Sequence, residues 1–170
     1  RDKEMEVSGT RIRTAFEYCS KLAEIVVRRL SEHSDGGHLY RVDMRLRPDG
    51  QAGPLAMSRQ GYRNYYETRG ELWERQMLLK ARVVAGNKTV GEGWLADLEP
   101  FVYPKTLLAS PLDKIREIKN RIESKTETDL NIKLGTGGIR DIEFITQALQ
   151  LLNSPLNNIV RQQNTLAALE

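Results

Sequence analysis

Residues 40 to 50 read YRVDMRLRPDG, with one carboxylate, Asp43, set among Arg41, Arg45 and Arg47. In an extended chain successive side chains point to opposite faces. Tyr40, Val42, Met44 and Leu46 would then share one face, and Arg41, Asp43, Arg45 and Arg47 the other. Alternate residues lie about 6.5–7 Å apart along a strand, close enough for the arginines to reach a common anion beside the carboxylate. Such a face can be a polyanion site. It can also be the wet side of a sheet, whose cross-strand charge pairs contribute only about 0.2–1 kcal/mol each, and for an arbitrary sequence that reading is the commoner one.

A second polar cluster is NIKLGTGGIRDIEF, residues 131 to 144. Gly135, Gly137 and Gly138 permit backbone N–H groups to converge, and the helix predicted after them presents its positive end. A turn of this kind can hold phosphate, with Lys133 and Arg140 adding charge. Its glycine spacing matches neither G-x-G-x-x-G nor a P-loop, and a plain strand-to-helix connection explains it as well. Asp141 and Glu143 favour helix initiation there and would repel a bare phosphate. In ELWERQMLLKAR, residues 71 to 82, Glu71 and Arg75 lie one helical turn apart, as do Gln76 and Lys80. That is the spacing of surface pairs worth about 0.2–0.5 kcal/mol each. His33 and His38 have no cysteine partner at zinc-site spacing, and no G-x-S-x-G elbow occurs.

The elements that would carry these clusters follow from periodicity. Ile12, Phe16, Cys19, Leu22, Val26 and Leu30 recur at helical spacing from Thr10 to about His33, and a strand is predicted over 38–47. PDGQAGP reads as a turn, LAMS as a short return strand, and Ser58 as a helix start. Helical signals then run to Val83 with a break near Gly70, followed by a short helix over 94–98, and Pro100 and Pro104 bracket the apolar FVY. Ser110 and Pro111 open a further helix. An apolar helix is expected over 139–152 and a last helix after NSP at 153–155.

Length and composition bound the rest. At 170 residues with a net charge of +3, the chain can bury a core and bind an anion without demanding nucleic acid. Its single cysteine, Cys19, excludes an internal disulfide and, lying in an apolar stripe, is expected to be buried and inert. No apolar run approaches a membrane span and the polar start is no signal peptide. The chain starts at Arg1 without an initiator Met and stops at LAALE, as a piece of a longer protein would.

Four motifs in order, LYRVDMRLRPDGQAGPL, YYETRGELWERQMLLKARVVAGN, LEPFVYPK and NIKLGTGGIRDIEFI, resemble the bifunctional glutamine synthetase adenylyltransferase/adenylyl-removing family from about residue 10 onward. That family carries two tandem nucleotidyltransferase halves similar to the DNA polymerase beta superfamily, each followed by helices. One half attaches AMP to a tyrosine of glutamine synthetase, and the other removes it with phosphate to give ADP. PFVY followed by KLGTGGIRDIEF is more like the N-terminal, adenylyl-removing half. The resemblance implies an α+β fold, with the C-terminal part of a polymerase-beta-like nucleotidyltransferase core in residues 1–57. A mostly helical region, 58–170, then carries the glycine turn at 131–140.

The resemblance also implies a site. The superfamily holds two Mg2+ ions with three carboxylates, two from a Gly-Ser…Asp-x-Asp element and one from a later strand. Asp43 matches that third carboxylate and is the expected catalytic and metal-binding residue. Arg45 and Arg47 are the expected nucleotide or phosphate contacts, with Lys133 and Arg140 as further ones. The chain contains no Asp-x-Asp. Its place in the family is upstream of Arg1, so the isolated chain is expected to be inactive. The implied partners are glutamine synthetase, a PII-type regulatory protein, ATP or ADP, and phosphate, in the cytoplasm and away from membranes. Nucleic acid is disfavoured by the mixed charge. Two other readings remain open: the adenylylating half, and a helical interaction module docking on glutamine synthetase or a PII-type regulator.

Overall fold

The computed structural model describes residues 5–7, 10–12, 14–34, 37–38, 40–105, 110–124, 132–133, 135 and 137–170. The chain forms two compact units, Arg1–Tyr65 and Tyr66–Glu170. The division falls between two consecutive tyrosines, eight residues beyond the boundary expected after residue 57.

In the first unit, β1 (Met5–Val7) pairs antiparallel with β2 (Thr10–Ile12), Met5 opposite Ile12 and Val7 opposite Thr10. Helix α1 (Ala15–Ser31) starts at a capping box. Thr14 Oγ1 accepts from the Glu17 amide at 3.1 Å, and the Glu17 carboxylate accepts from the Thr14 amide at 3.3 Å. The helix expected from Thr10 therefore begins later, because residues 10–12 are extended in β2. Its apolar stripe is not covered: no residue of α1 is buried, and Phe16, Leu22 and Val26 are exposed. Cys19 shares that face and is exposed, which corrects the expectation that it is buried.

Two short strands follow, β3 (His33–Ser34) and β4 (Gly37–His38), paired antiparallel. The strand expected over 38–47 is largely absent. Its described part beyond His38 carries no regular secondary structure from Tyr40 to Arg45. The hydrogen bonds give the reason: the Tyr40 amide donates to Leu30 O and the Arg47 amide to Arg45 O, so these groups serve local contacts rather than a ladder. The alternation nonetheless persists, with Val42 and Met44 half-buried between exposed Arg41, Asp43 and Arg45. It ends at Leu46, which is 63% exposed. No strand forms at LAMS. Helix α2 (Arg59–Thr68) follows it, and Ser58 Oγ accepts from the Gly61 amide at 3.0 Å.

The second unit is helical in its described residues. Helix α3 (Leu72–Leu78) packs against α4 (Lys88–Val102), α5 (Pro111–Glu123) and α6 (Ile139–Asn153), and α5 packs against α6. The core is Tyr66, Leu78, Leu79, Leu98, Val102, Ile115, Ala148 and Leu151. Helix α4 is longer than expected and continues through Pro100, which lies in its last turn. Gly70 lies between α2 and α3 against Phe101, whose Cε2 would be 2.5 Å from any Cβ at position 70. The Phe101 ring also meets Tyr66 at a centroid distance of 4.8 Å and the Arg75 guanidinium at 4.8 Å.

Beyond α6 the expected last helix is not α-helical. Residues 155–170 hold a 3-10 turn, Asn158–Val160, and further turns. Gln150 Nε2 donates to the carbonyls of Val160 and Gln162, acceptors that a continuing helix would need for itself. The described residues as a whole are mostly helical. Their strands are confined to the two short pairs, so the sheet of an α+β nucleotidyltransferase core is not among them. No described helix is long and apolar enough to cross a membrane.

Burial separates residues that hold the second unit from those that do not. Leu151→Ala, at a site 1% exposed, should cost about 2–5 kcal/mol in chemical denaturation. Leu156→Ala, at a site 92% exposed, should stay within about 0.5 kcal/mol in the same assay.

Candidate functional site

The segment flagged by its charge pattern places Asp43 and Arg45 together. Asp43 Oδ1 accepts from the Arg45 amide at 3.0 Å, so the side chain folds forward over its own backbone. The Arg45 guanidinium then closes on the same carboxylate, Nε 3.0 Å from both oxygens and Nη2 2.6 Å from Oδ2. These bonds hold the Asp43 carboxyl down to about 2, the Arg45 side chain first and its amide second, with a smaller attraction from Arg41. The pairing raises Arg45 in turn. Both groups are open to water, at 47% and 69% side-chain exposure. An ion pair so exposed is weakly held, and a carboxylate offers about four lone-pair sites. Asp43 can therefore exchange its partner without rebuilding the backbone around it.

Arg47 does something else. Its Nε donates to Gly53 O at 3.0 Å, its Nη2 to Gln51 O at 3.1 Å, and its Nη1 to Met44 O. The loop it fills is tight. Asp49 is left-handed at φ 59°, and a Cβ on Gly53 would lie 1.9 Å from Pro48 O, so only glycine fits there. The Asp49 amide is tied to Tyr65 Oη at 3.4 Å. All three guanidinium nitrogens of Arg47 thus serve main-chain carbonyls, while Arg45, two residues earlier, faces water.

The glycine turn lies in the second unit. Three of its described amides are engaged internally: Gly138 to Gly135 O at 2.9 Å, Ile139 to Ile132 O at 3.0 Å, and Arg140 to Lys133 O at 3.1 Å. The Gly137 amide donates to Asp141 Oδ2 at 2.8 Å. Gly137 has φ 76°, and a Cβ on Gly138 would come within 2.6 Å of Ile132 O. Asp141 is further paired with Lys119 of α5 at 3.2 Å. Its carboxyl is lowered, by the Gly137 amide first and by Lys119 as well. The turn therefore already holds an anion, the carboxylate of its own helix. Lys133 is exposed and Arg140 half-buried beside it.

Among the described residues no three His, Cys, Asp or Glu side chains gather as a metal site. Asp43 brings a single carboxylate, held by Arg45, so the described residues by themselves do not fit a pair of Mg2+ ions. Sequence reasoning missed the Lys119 to Asp141 pair, because residues 22 apart leave no local signature and Lys119 reads as part of a solvated helix face. It also missed the carbonyl cluster around Arg47. The PDGQAG turn beside that arginine was its one visible sign.

The family model for glutamate-ammonia ligase adenylyltransferase matches residues 1–96. That for GlnD PII-uridylyltransferase matches residues 112–170. Three similar proteins carry the name bifunctional glutamine synthetase adenylyltransferase/adenylyl-removing enzyme. The one from Stenotrophomonas maltophilia is 42% identical over 168 residues, 97% of this chain and 18% of that protein. In Xanthomonas campestris pv. campestris the identity is 41% over 165 residues, 95% of this chain and 18% of that protein. The protein from Nitrosococcus oceani shows 40% over 156 residues, 90% of this chain and 16% of its own length. The chain thus spans less than a fifth of these relatives.

The carboxylate geometry sets a pH dependence. Asp43 is lowered from the ordinary value of about 3.9 to about 2. Its ordering of residues 43–45 should be complete above the ordinary value and lost as the pH falls through about 2. Carboxyl 13C shifts titrated by NMR should show that midpoint, and Arg45→Ala should return it upward. For the neighbouring loop, Arg47→Lys supplies one nitrogen where three now serve carbonyls. Amide exchange at Gly50, Ala52 and Gly53 should rise about tenfold or more, since hydrogen bonds from charged donors are lost.

Proposed function

Because the chain belongs to the glutamate-ammonia ligase adenylyltransferase family, whose model matches residues 1–96 of its 170, we propose that it forms part of an enzyme controlling glutamine synthetase by a nucleotidyl group. The part we assign is the adenylyl-removing half. Orthophosphate attacks the phosphorus of tyrosine-bound AMP, the bond from phosphorus to the tyrosine oxygen breaks, and ADP and the free tyrosine leave. Asp43 takes the place of the family's third carboxylate in this reading, and Arg45 turns from it to meet a phosphate oxygen. Arg47 keeps the loop that presents both. Lys133 and Arg140 add positive charge toward nucleotide or phosphate from the glycine turn.

What carries the reading is the position of Asp43, exposed and weakly held, in a chain whose two family matches are both named for moving a nucleotidyl group onto a protein. The match of residues 112–170 to a family named for PII supports a PII-type protein as a second partner. PFVY before the glycine turn supports the removing half over the transferring one. Mg2+ belongs to the reading as cofactor. In the family the further carboxylates come from an Asp-x-Asp element, and this sequence contains none. A cytoplasmic location, where glutamine synthetase would be met, goes with the reading.

The test replaces the matching segment of a bifunctional relative by this chain. Asp43→Asn should then abolish phosphate-dependent ADP release from adenylylated glutamine synthetase, while AMP transfer from ATP continues. Loss of transfer with release intact would assign the chain to the adenylylating half. Retention of both would make Asp43 a surface carboxylate.

A further inference from the structure

The WERQMLLKAR stretch ends in a lysine whose partners lie more than eighty residues away. Lys80 Nζ donates to Gln163 O and to Thr165 Oγ1, each at 2.9 Å, and Gln163 Nε2 donates back to Ala81 O at 2.6 Å. From α6, Gln150 Nε2 reaches Val160 O at 2.7 Å and Gln162 O at 2.6 Å. Arg161 covers the Tyr103 ring at 4.4 Å, pairs with Glu99 and donates to Ser154 O at 3.0 Å. Residues 155–165 are thus fastened mainly by polar ties.

Their own apolar side chains contribute little to the fastening, since Leu156 and Ile159 are 92% and 77% exposed. Arg161 and Gln163 wall a cavity of about 280 Å³ whose other lining includes Leu78, Leu79, Leu95, Leu98 and Val102. The closed arrangement also leaves Arg161 Nε and Gln150 Oε1 buried without a protein partner, an unusual burden on a closed state.

We propose that residues 155–165 are a strap that closes this apolar cavity and opens as a unit while α3 to α6 stay folded, with Lys80 and Gln150 as its latches. Opening exchanges protein hydrogen bonds for bonds to water, a small net change for each, and sacrifices little apolar contact. The helices beneath are held by buried leucines, so the strap belongs to the low-stability end of the unit. The WERQMLLKAR motif then sets how tightly an apolar site is covered, a role separate from the chemistry assigned to Asp43.

Amide exchange on the 170-residue chain tests this. Amides of Leu156, Asn157, Arg161 and Gln162, all hydrogen-bonded within the strap or at its start, should exchange about tenfold or more faster than those of residues 148–152 in α6, as expected for sub-global opening. Lys80→Met should speed strap exchange about tenfold again through loss of a charged donor, leave α6 exchange unchanged, and raise the fluorescence of added anilinonaphthalene sulfonate. Gln150→Met should act in the same direction. Strap and α6 amides exchanging at one rate in the unsubstituted chain would overturn the proposal without any variant. So would Lys80→Met accelerating both equally, or strap opening without added dye fluorescence.

Discussion

A carbonyl that leaves a helix or sheet still needs a donor, and this chain has long irregular stretches that must meet that demand. Burying a carbonyl unpaired costs about 1–3 kcal/mol, so each such stretch is organised around one side chain that supplies several donors or one that caps several groups. Arg47 does this for residues 44–53, Gln150 and Lys80 for residues 160–165, and Asp141 for the Gly137 amide. Where a sheet would distribute the demand over a ladder, here it is concentrated in single residues.

That concentration explains why neighbouring arginines of one motif have different fates. Arg47 is committed to three carbonyls and fixes a loop, whereas Arg45 grips only an exposed carboxylate. The loop that Arg47 fixes lies directly after the exposed pair. The interior of the second unit also takes in polar side chains, since Glu74, Gln76, Thr146 and Gln147 are buried beside its leucines. Thr146 satisfies its hydroxyl by donating to Ile142 O at 2.7 Å within its own helix, and Glu74 accepts from the Glu71 amide at 2.8 Å to cap α3.

The local signals that survive into the structure are those fixed by caps and breaks, and signals that depend on distant partners do not survive. The caps at Ser58 and Ser110, the break near Gly70 and the run of α6 are all set within a few residues and were legible. The alternation from Arg41 to Arg45 was real as a pattern of exposure, but pattern does not supply a pairing strand, and none of the described residues does. Cys19 was misread as buried because periodicity reports amphipathicity and not what covers the apolar side. At the candidate site the carboxylate and its arginines could be named from spacing. That Arg47 turns inward and that Lys119 meets Asp141 depended on chain reversals no local rule specifies.

The close approach of Gly70 to Phe101 has a consequence for how this unit can vary among its relatives. With the ring edge 2.5 Å from where a Cβ would stand, and the same ring held against Tyr66 and Arg75, positions 70 and 101 cannot drift independently. A side chain at 70 would force the ring at 101 to move, and a smaller residue at 101 removes the face that Tyr66 and Arg75 now meet. Each single step is disfavoured, and the Tyr66 carbonyl would also stand 3.0 Å from that Cβ, so a lineage is expected to keep both residues.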